Sequence, residues 1–104
     1  MIYKGYEIDE FGKGCTVFFQ GDEIYLADLD DAKAFVDINE AYNDAMNDLT
    51  FVNRSQAAFN AADNKALALV YNRHKVLNPM SVTEKERQKL RDEATALRIL
   101  AIEE

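Results

Sequence analysis

The sequence predicts an α+β fold: a three-stranded antiparallel β-meander over residues 1–27, then two or three α-helices over 28–104, the last two forming an antiparallel helical hairpin. Three observations predict it. β-favouring runs separated by glycine turns fill residues 1–27. From Leu29 onward apolar residues recur at helical spacing. Pro79, the one proline, divides the helical part and is followed at once by a helix-start signature. A chain of 104 residues suits one domain, 1–104, with one modest core.

The strands come first. Ile2, Tyr3, Tyr6 and Ile8 favour β structure, and Glu10 to Gly14 has turn chemistry. Thr16-Val17-Phe18-Phe19 is β-branched and aromatic, Gln20-Gly21-Asp22 is a second tight turn, and Glu23 to Ala27 alternates like a half-buried strand. Such short turns force antiparallel neighbours.

Asp28 reads as the N-cap of the first helix, with Asp31 three residues on. Its apolar residues run from Leu29 through Phe35, Val36, Ile38 and Tyr42 to Leu49. The helix either continues to about Asp48 or breaks near Ile38-Asn39. Thr50 is a candidate cap for the second helix, whose stripe is Val52, Ser55, Phe59, Ala62, Ala66, Leu69, Arg73 and Val76, with Asn78-Pro79 as the stop. Ser81 to Glu84 and Thr83 to Glu86 both fit a capping box for the third helix, with Leu90, Ala94, Leu97 and Ala101 on one face. The narrow, alanine-rich seam of the helical hairpin suits close pairing of helices and suggests a homodimer.

Composition excludes several classes. Apolar content of 48% is too high for a disordered chain. Cys15 is the lone cysteine, so no internal disulfide forms and a reducing, cytoplasmic setting is expected. The start, Met1-Ile2-Tyr3-Lys4-Gly5, has no apolar segment behind it, so neither a secretory leader nor a membrane span is expected. The formal charge of −7 argues against direct binding of nucleic acid or of anionic membrane.

Candidate chemistry is sparse. His74, the one histidine, lies between Arg73 and Lys75, where it reads as a helix-end cation, and Cys15 reads as a buried strand residue. No nucleophile signature joins them, so no enzyme activity is expected. Asp28 to Asp31 lacks the later glycine and glutamate of a calcium loop, with Lys33 and Asn39 in those places. Gly12-Lys13-Gly14 is a hairpin turn rather than a phosphate loop. No cofactor and no metal site is expected.

Charge carries the functional signal. Residues 1–50 hold twelve carboxylates against three cations, and residues 51–104 hold seven against nine. Asp30, Asp37, Glu40, Asp44 and Asp48 recur at spacings that place most of them along one side of the first helix, and with Asp22 and Glu23 at the strand turn they are expected to form a continuous negative field. Such a field resembles spaced phosphates and would attract a protein partner with a basic surface. Reversal of Asp37, Glu40 and Asp44 to lysine is expected to abolish that binding without harming the fold. Two other readings lie in the helical half: an assembly module that dimerises through the hairpin seam, or a binder of a nucleotide-like small molecule that uses Arg54, Arg73, Lys75, Arg87 and Arg91.

Four segments also resemble something known: Tyr3-Lys4-Gly5-Tyr6, Gly14-Cys15-Thr16-Val17, Asp22-Glu23-Ile24-Tyr25 and Asp31-Ala32-Lys33-Ala34-Phe35-Val36-Asp37. Over residues 2–38 they resemble the meander-plus-helix modules of small proteins from bacteriophages and mobile elements, mainly in low-GC Gram-positive bacteria. The resemblance implies an anti-defence inhibitor of the anti-CRISPR type, acting in the cytoplasm of a bacterial host by occupying the nucleic-acid-binding surface of a nuclease or nucleoprotein.

Overall fold

Three tight turns decide the sheet. Lys4-Gly5 and Gln20-Gly21 both take positive φ at their two central residues, as a type I′ hairpin turn requires. At Gly12-Lys13 only the glycine does, as in a type II′ turn. The computed structural model, which describes residues 1–50 and 52–102, accordingly has four antiparallel strands in one sheet, in sequence order: β1 (Ile2–Tyr3), β2 (Tyr6–Phe11), β3 (Gly14–Phe19) and β4 (Asp22–Leu26). The expected meander is present with one strand more than predicted. The difference lies at Lys4-Gly5, which folds the N-terminal strand back on itself so that Tyr3 pairs with Tyr6 and Ile2 with Glu7.

Three helices follow: α1 (Leu29–Met46), α2 (Arg54–Arg73) and α3 (Glu84–Ile102). Asp28 caps α1 as expected, its carboxylate accepting from the Asp31 N–H at 2.8 Å. α1 is continuous through Ile38-Asn39. Asn39 does not interrupt it, because its buried amide donates to the Phe35 carbonyl one turn back at 2.9 Å and so has a partner inside the helix.

Two expected boundaries move. Asn53, not Thr50, caps α2, accepting from the Gln56 N–H at 3.1 Å, while Thr50 donates its N–H and its hydroxyl to Asp48. At the other end α2 stops before Asn78-Pro79 is reached. Lys75 takes φ +58°, the Lys75 N–H donates to the Asn72 carbonyl and the Val76 N–H to the Tyr71 carbonyl. This is a Schellman closure, and it satisfies the last carbonyls without help from the proline. Pro79 instead opens a short 3₁₀ turn, Pro79–Ser81, capped by Asn78. Thr83 begins α3, accepting from the Glu86 N–H at 3.2 Å.

The layers follow from burial. Ile8, Cys15, Val17 and Leu26 turn one face of the sheet inward against Phe35, Val36 and Ile38 of α1, with Phe19 meeting Phe35 edge-on at 5.5 Å. α1 is the helix that covers the sheet; α2 and α3 pack against it and against each other. Consequently α1 has no free face in its middle: residues 34–39 are all buried. The small residues Ala58, Ala62, Ala66 and Val70 of α2 are wholly buried within the chain, so the alanine seam expected to hold a second copy is already filled. It keeps Ala62 and Ala66 of the expected stripe but takes Ala58 and Val70 in place of Phe59 and Leu69, which leaves Phe59 at the rim, beneath the Arg98 guanidinium at 4.4 Å from the ring centre. The pairs Asp63 with Arg98 and His74 with Glu93 show α2 and α3 running antiparallel.

Candidate functional site

The expected acidic stripe is real in spacing and broken in exposure. Asp30, Asp37, Glu40 and Asp44 do share one side of α1, but β1 lies across it. The Tyr3 hydroxyl donates to both carboxylate oxygens of Asp37, at 2.9 and 3.2 Å. Lys4 Nζ sits 2.8 Å from Asp37 and 3.9 Å from Glu40, and Lys33 Nζ lies 5.6 Å from the centre of the Tyr3 ring. Asp37 is therefore a buried tether between strand and helix rather than an exposed contact. Reversing it to lysine would place a cation in a buried site beside Lys4, so the expectation that the triple reversal spares the fold does not hold.

The same contacts shift the groups around Asp37. Partial burial raises the Tyr3 phenol above its ordinary 10.0, and the hydrogen bond to Asp37 raises it further. Lys4 is raised above 10.5, first by its bond to Asp37. At the end of α1, Asp48 falls outside the helix and is held below the ordinary carboxylate range by the Thr50 hydroxyl and N–H.

The remaining predicted residues divide into two groups. Asp30 and Asp44 are exposed on α1, on the β1 side. Asp22 and Glu23 are exposed at the start of β4, the opposite edge of the sheet. The strand order separates the two groups, so the expected continuous field from strand turn to helix does not form. Glu23 instead adjoins a surface that charge spacing alone did not reveal: the outer face of the sheet. Register and alternation put Ile2, Glu7, Asp9, Phe11, Phe18, Glu23 and Tyr25 on it, all exposed. The signal was available in the sequence, because Phe11, Phe18 and Tyr25 fall out of phase with the buried Ile8, Val17 and Leu26.

Of the basic residues singled out in the helical half, Arg73 ties the helices together. Arg73 Nη2 lies 2.9 Å from Asp31 on α1 and its Nη1 3.8 Å from Glu93 on α3. His74 Nε2 is 2.8 Å from Glu93 Oε2. Arg54 reaches the Met46 carbonyl and Arg87 the Pro79 carbonyl, each at 3.4 Å. A cleft of about 320 Å³ is lined by Tyr3, Lys33 and Arg73 together with Asp30 and Asp37; of its cations, Arg73 already pairs with Asp31 and Lys33 lies over the Tyr3 ring. A second, more apolar cleft of about 440 Å³ lies between the end of α2 and α3, over Val76, Val82 and Leu90. Cys15 is buried in β3, and burial pushes its thiol up. Among the described residues no group of three or more His, Cys, Asp and Glu side chains is placed to hold a metal ion, and no helix is long and apolar enough to cross a membrane.

Compared with protein-family models, with curated proteins and with solved structures, the chain matches none. Its function is argued from its own geometry.

Proposed function

We propose that this chain is an acidic protein-binding module whose partner presents a basic surface. The observation that carries the proposal is the distribution of charge. The half that builds the sheet and α1 has a fourfold excess of carboxylates over cations. Of its three cations, Lys4 is spent on Asp37 and Glu40 and Lys33 lies against Tyr3, so neither offsets the exposed carboxylates Asp22, Glu23, Asp30 and Asp44. A negative surface of this kind steers a basic partner and competes with the nucleic acid that such a surface normally holds. In its sharper form the module is an inhibitor of phage origin, acting in the bacterial cytoplasm on a nuclease or nucleoprotein. Capture of partners from bacterial lysate, eluted by a salt gradient, tests it. A nucleic-acid-binding protein released at moderate salt and displaced by added nucleic acid is the expected result. Partners indifferent to both salt and nucleic acid would refute it.

An assembly module is the second reading. Four exposed apolar side chains in the helix connections favour it: Leu49 and Val52 between α1 and α2, Leu77 and Met80 between α2 and α3. Sedimentation separates the two, since assembly through these residues is concentration-dependent and insensitive to salt.

A further inference from the structure

The outward side of a solvated antiparallel sheet is ordinarily polar. Here it is not. Ile2, Phe11, Phe18 and Tyr25 are 75, 53, 38 and 65% exposed on that side. The Phe11 and Tyr25 rings stack at 6.2 Å with an interplanar angle of 30°. Tyr25 also lies across Gly14 so closely that a Cβ there would run into its ring. The Phe11–Tyr25 part of the aromatic shelf is therefore preset, its two rings held by each other and Tyr25 by the glycine seat. Among the described residues no helix covers the shelf, because α1 takes the opposite face.

The charged side chains that the strands place on the outer face have one sign. Glu7 and Asp9 on β2 and Glu23 on β4 share the outer face, and Phe18 and Glu23 are paired in register. No strand places a cation on this face: Lys4 turns to Asp37 on the inner side, and Lys13 sits in the hairpin turn. Flat aromatic rings bordered by carboxylates are the complement of a guanidinium group. It stacks on a ring face and donates in a planar fork to a carboxylate, which an ammonium does less well. An apolar patch rimmed by charge is also what distinguishes a docking surface from an ordinary one.

We propose that the outer face of the sheet is the docking surface of this protein and that its occupant is an arginine-presenting segment of a partner protein. The inference rests on the acidic-module reading and gives it a place, moving the contact from α1 to the sheet. Arginines of the partner stack on Phe11, Phe18 and Tyr25 while Glu7, Asp9 and Glu23 pair with them.

Fluorescence anisotropy with labelled oligo-arginine and oligo-lysine peptides of equal length tests it, at physiological salt. The arginine peptide should bind about tenfold more tightly than the lysine peptide. Phe11→Ser with Phe18→Ser should remove that preference, and Glu7→Gln, Asp9→Asn and Glu23→Gln together should weaken binding by tenfold or more. Tyr25 is left intact because it covers Gly14. Asp30→Asn with Asp44→Asn should weaken binding less than about threefold, as distant charges do when screened. Amide chemical-shift mapping on the unsubstituted chain gives the same answer without any variant: the shifts should fall on β2, β3 and β4. Equal affinity for the two peptides, with the loss carried by Asp30 and Asp44, would overturn this placement and leave the acidic module standing. Failure of either peptide to bind even at low salt would overturn both. Self-association abolished by the Phe11 and Phe18 substitutions would also overturn it, naming a second copy as the occupant.

Discussion

Asp37 offers the sharpest test of how strand and helix are joined. Replacing it with alanine removes the acceptor of the Tyr3 hydroxyl and the carboxylate facing Lys4. A hydrogen bond to a charged acceptor contributes about 1.5–3 kcal/mol, and Tyr3 is partly exposed, so the lower end applies: ~1.5 kcal/mol for that bond. In a domain of this size that is a fall in Tm of about 6–12 °C. The assay is a double-mutant cycle in urea, with Tyr3→Phe, Asp37→Ala and the pair. Tyr3→Phe alone removes only the hydroxyl, so a coupling of about 1 kcal/mol or more between the two sites isolates their bond from the lost packing and from Lys4. Additive effects within about 0.4 kcal/mol would refute the tether. Asp37→Asn is the milder variant, because an amide oxygen still accepts from Tyr3, and it should lose less than alanine does.

Three further outcomes follow from named contacts. Lys75→Gly should stabilise the chain by about 0.5–1 kcal/mol in urea unfolding, because Lys75 closes α2 at positive φ, where glycine is free of the Cβ penalty; a loss of stability would count against the closure described. The Cys15 thiol, buried and raised in pKa, should react with an aromatic disulfide reagent only as fast as the sheet opens, so rapid labelling of the native chain would contradict its burial. Tyr3 and Lys4 both have folded pKa values above their ordinary 10.0 and 10.5, so what they contribute is complete below pH 10 and is lost as pH rises through the raised values. Tyr3→Phe should remove the phenol's share of that alkaline loss in pH-resolved melts, and an unchanged alkaline limb would show that Tyr3 has no part in it.

The sequence announced the class of fold through its periodicities, and most of the errors have a local cause. The extra strand was hidden because Lys4-Gly5 lacks the asparagine or aspartate usual in such turns, although Gln20-Gly21 uses the same X-Gly form. Pro79 drew attention away from the true end of α2, since a Schellman closure at a lysine carries no residue signature. The capping residues Asp28 and Thr83 were legible because their chemistry is local, whereas Thr50 and Asn53 compete as caps over a few residues and geometry decides between them. The site was harder. Helical spacing correctly put Asp30, Asp37, Glu40 and Asp44 on one side of α1, but no spacing rule says that β1 will lie across it. Tyr3 and Lys4 are thirty-four and thirty-three residues away in sequence from the carboxylate they meet. The aromatic outer face was legible in principle, by counting alternation through Phe11, Phe18 and Tyr25, once the register was known.

The division of the acidic residues into two groups also makes a kinetic claim. Charges that do not touch a partner still raise the rate of encounter, and their effect fades with salt, whereas residues in the contact set how long the complex lasts. Asp30 and Asp44 lie on the β1 side of α1 and Glu23 on the outer face near the β4 edge, so on the proposed docking surface the first two steer and the third binds. Asp30→Asn with Asp44→Asn should therefore slow association with an arginine peptide about two- to threefold at low ionic strength, with dissociation unchanged and the difference gone at high salt. Phe11→Ser should do the reverse, speeding dissociation about fivefold with association nearly untouched at any salt. Stopped-flow fluorescence measures both constants in one series. Should the α1 substitutions instead change the dissociation rate, the partner sits on the helix, and the aromatic shelf on the sheet needs another explanation.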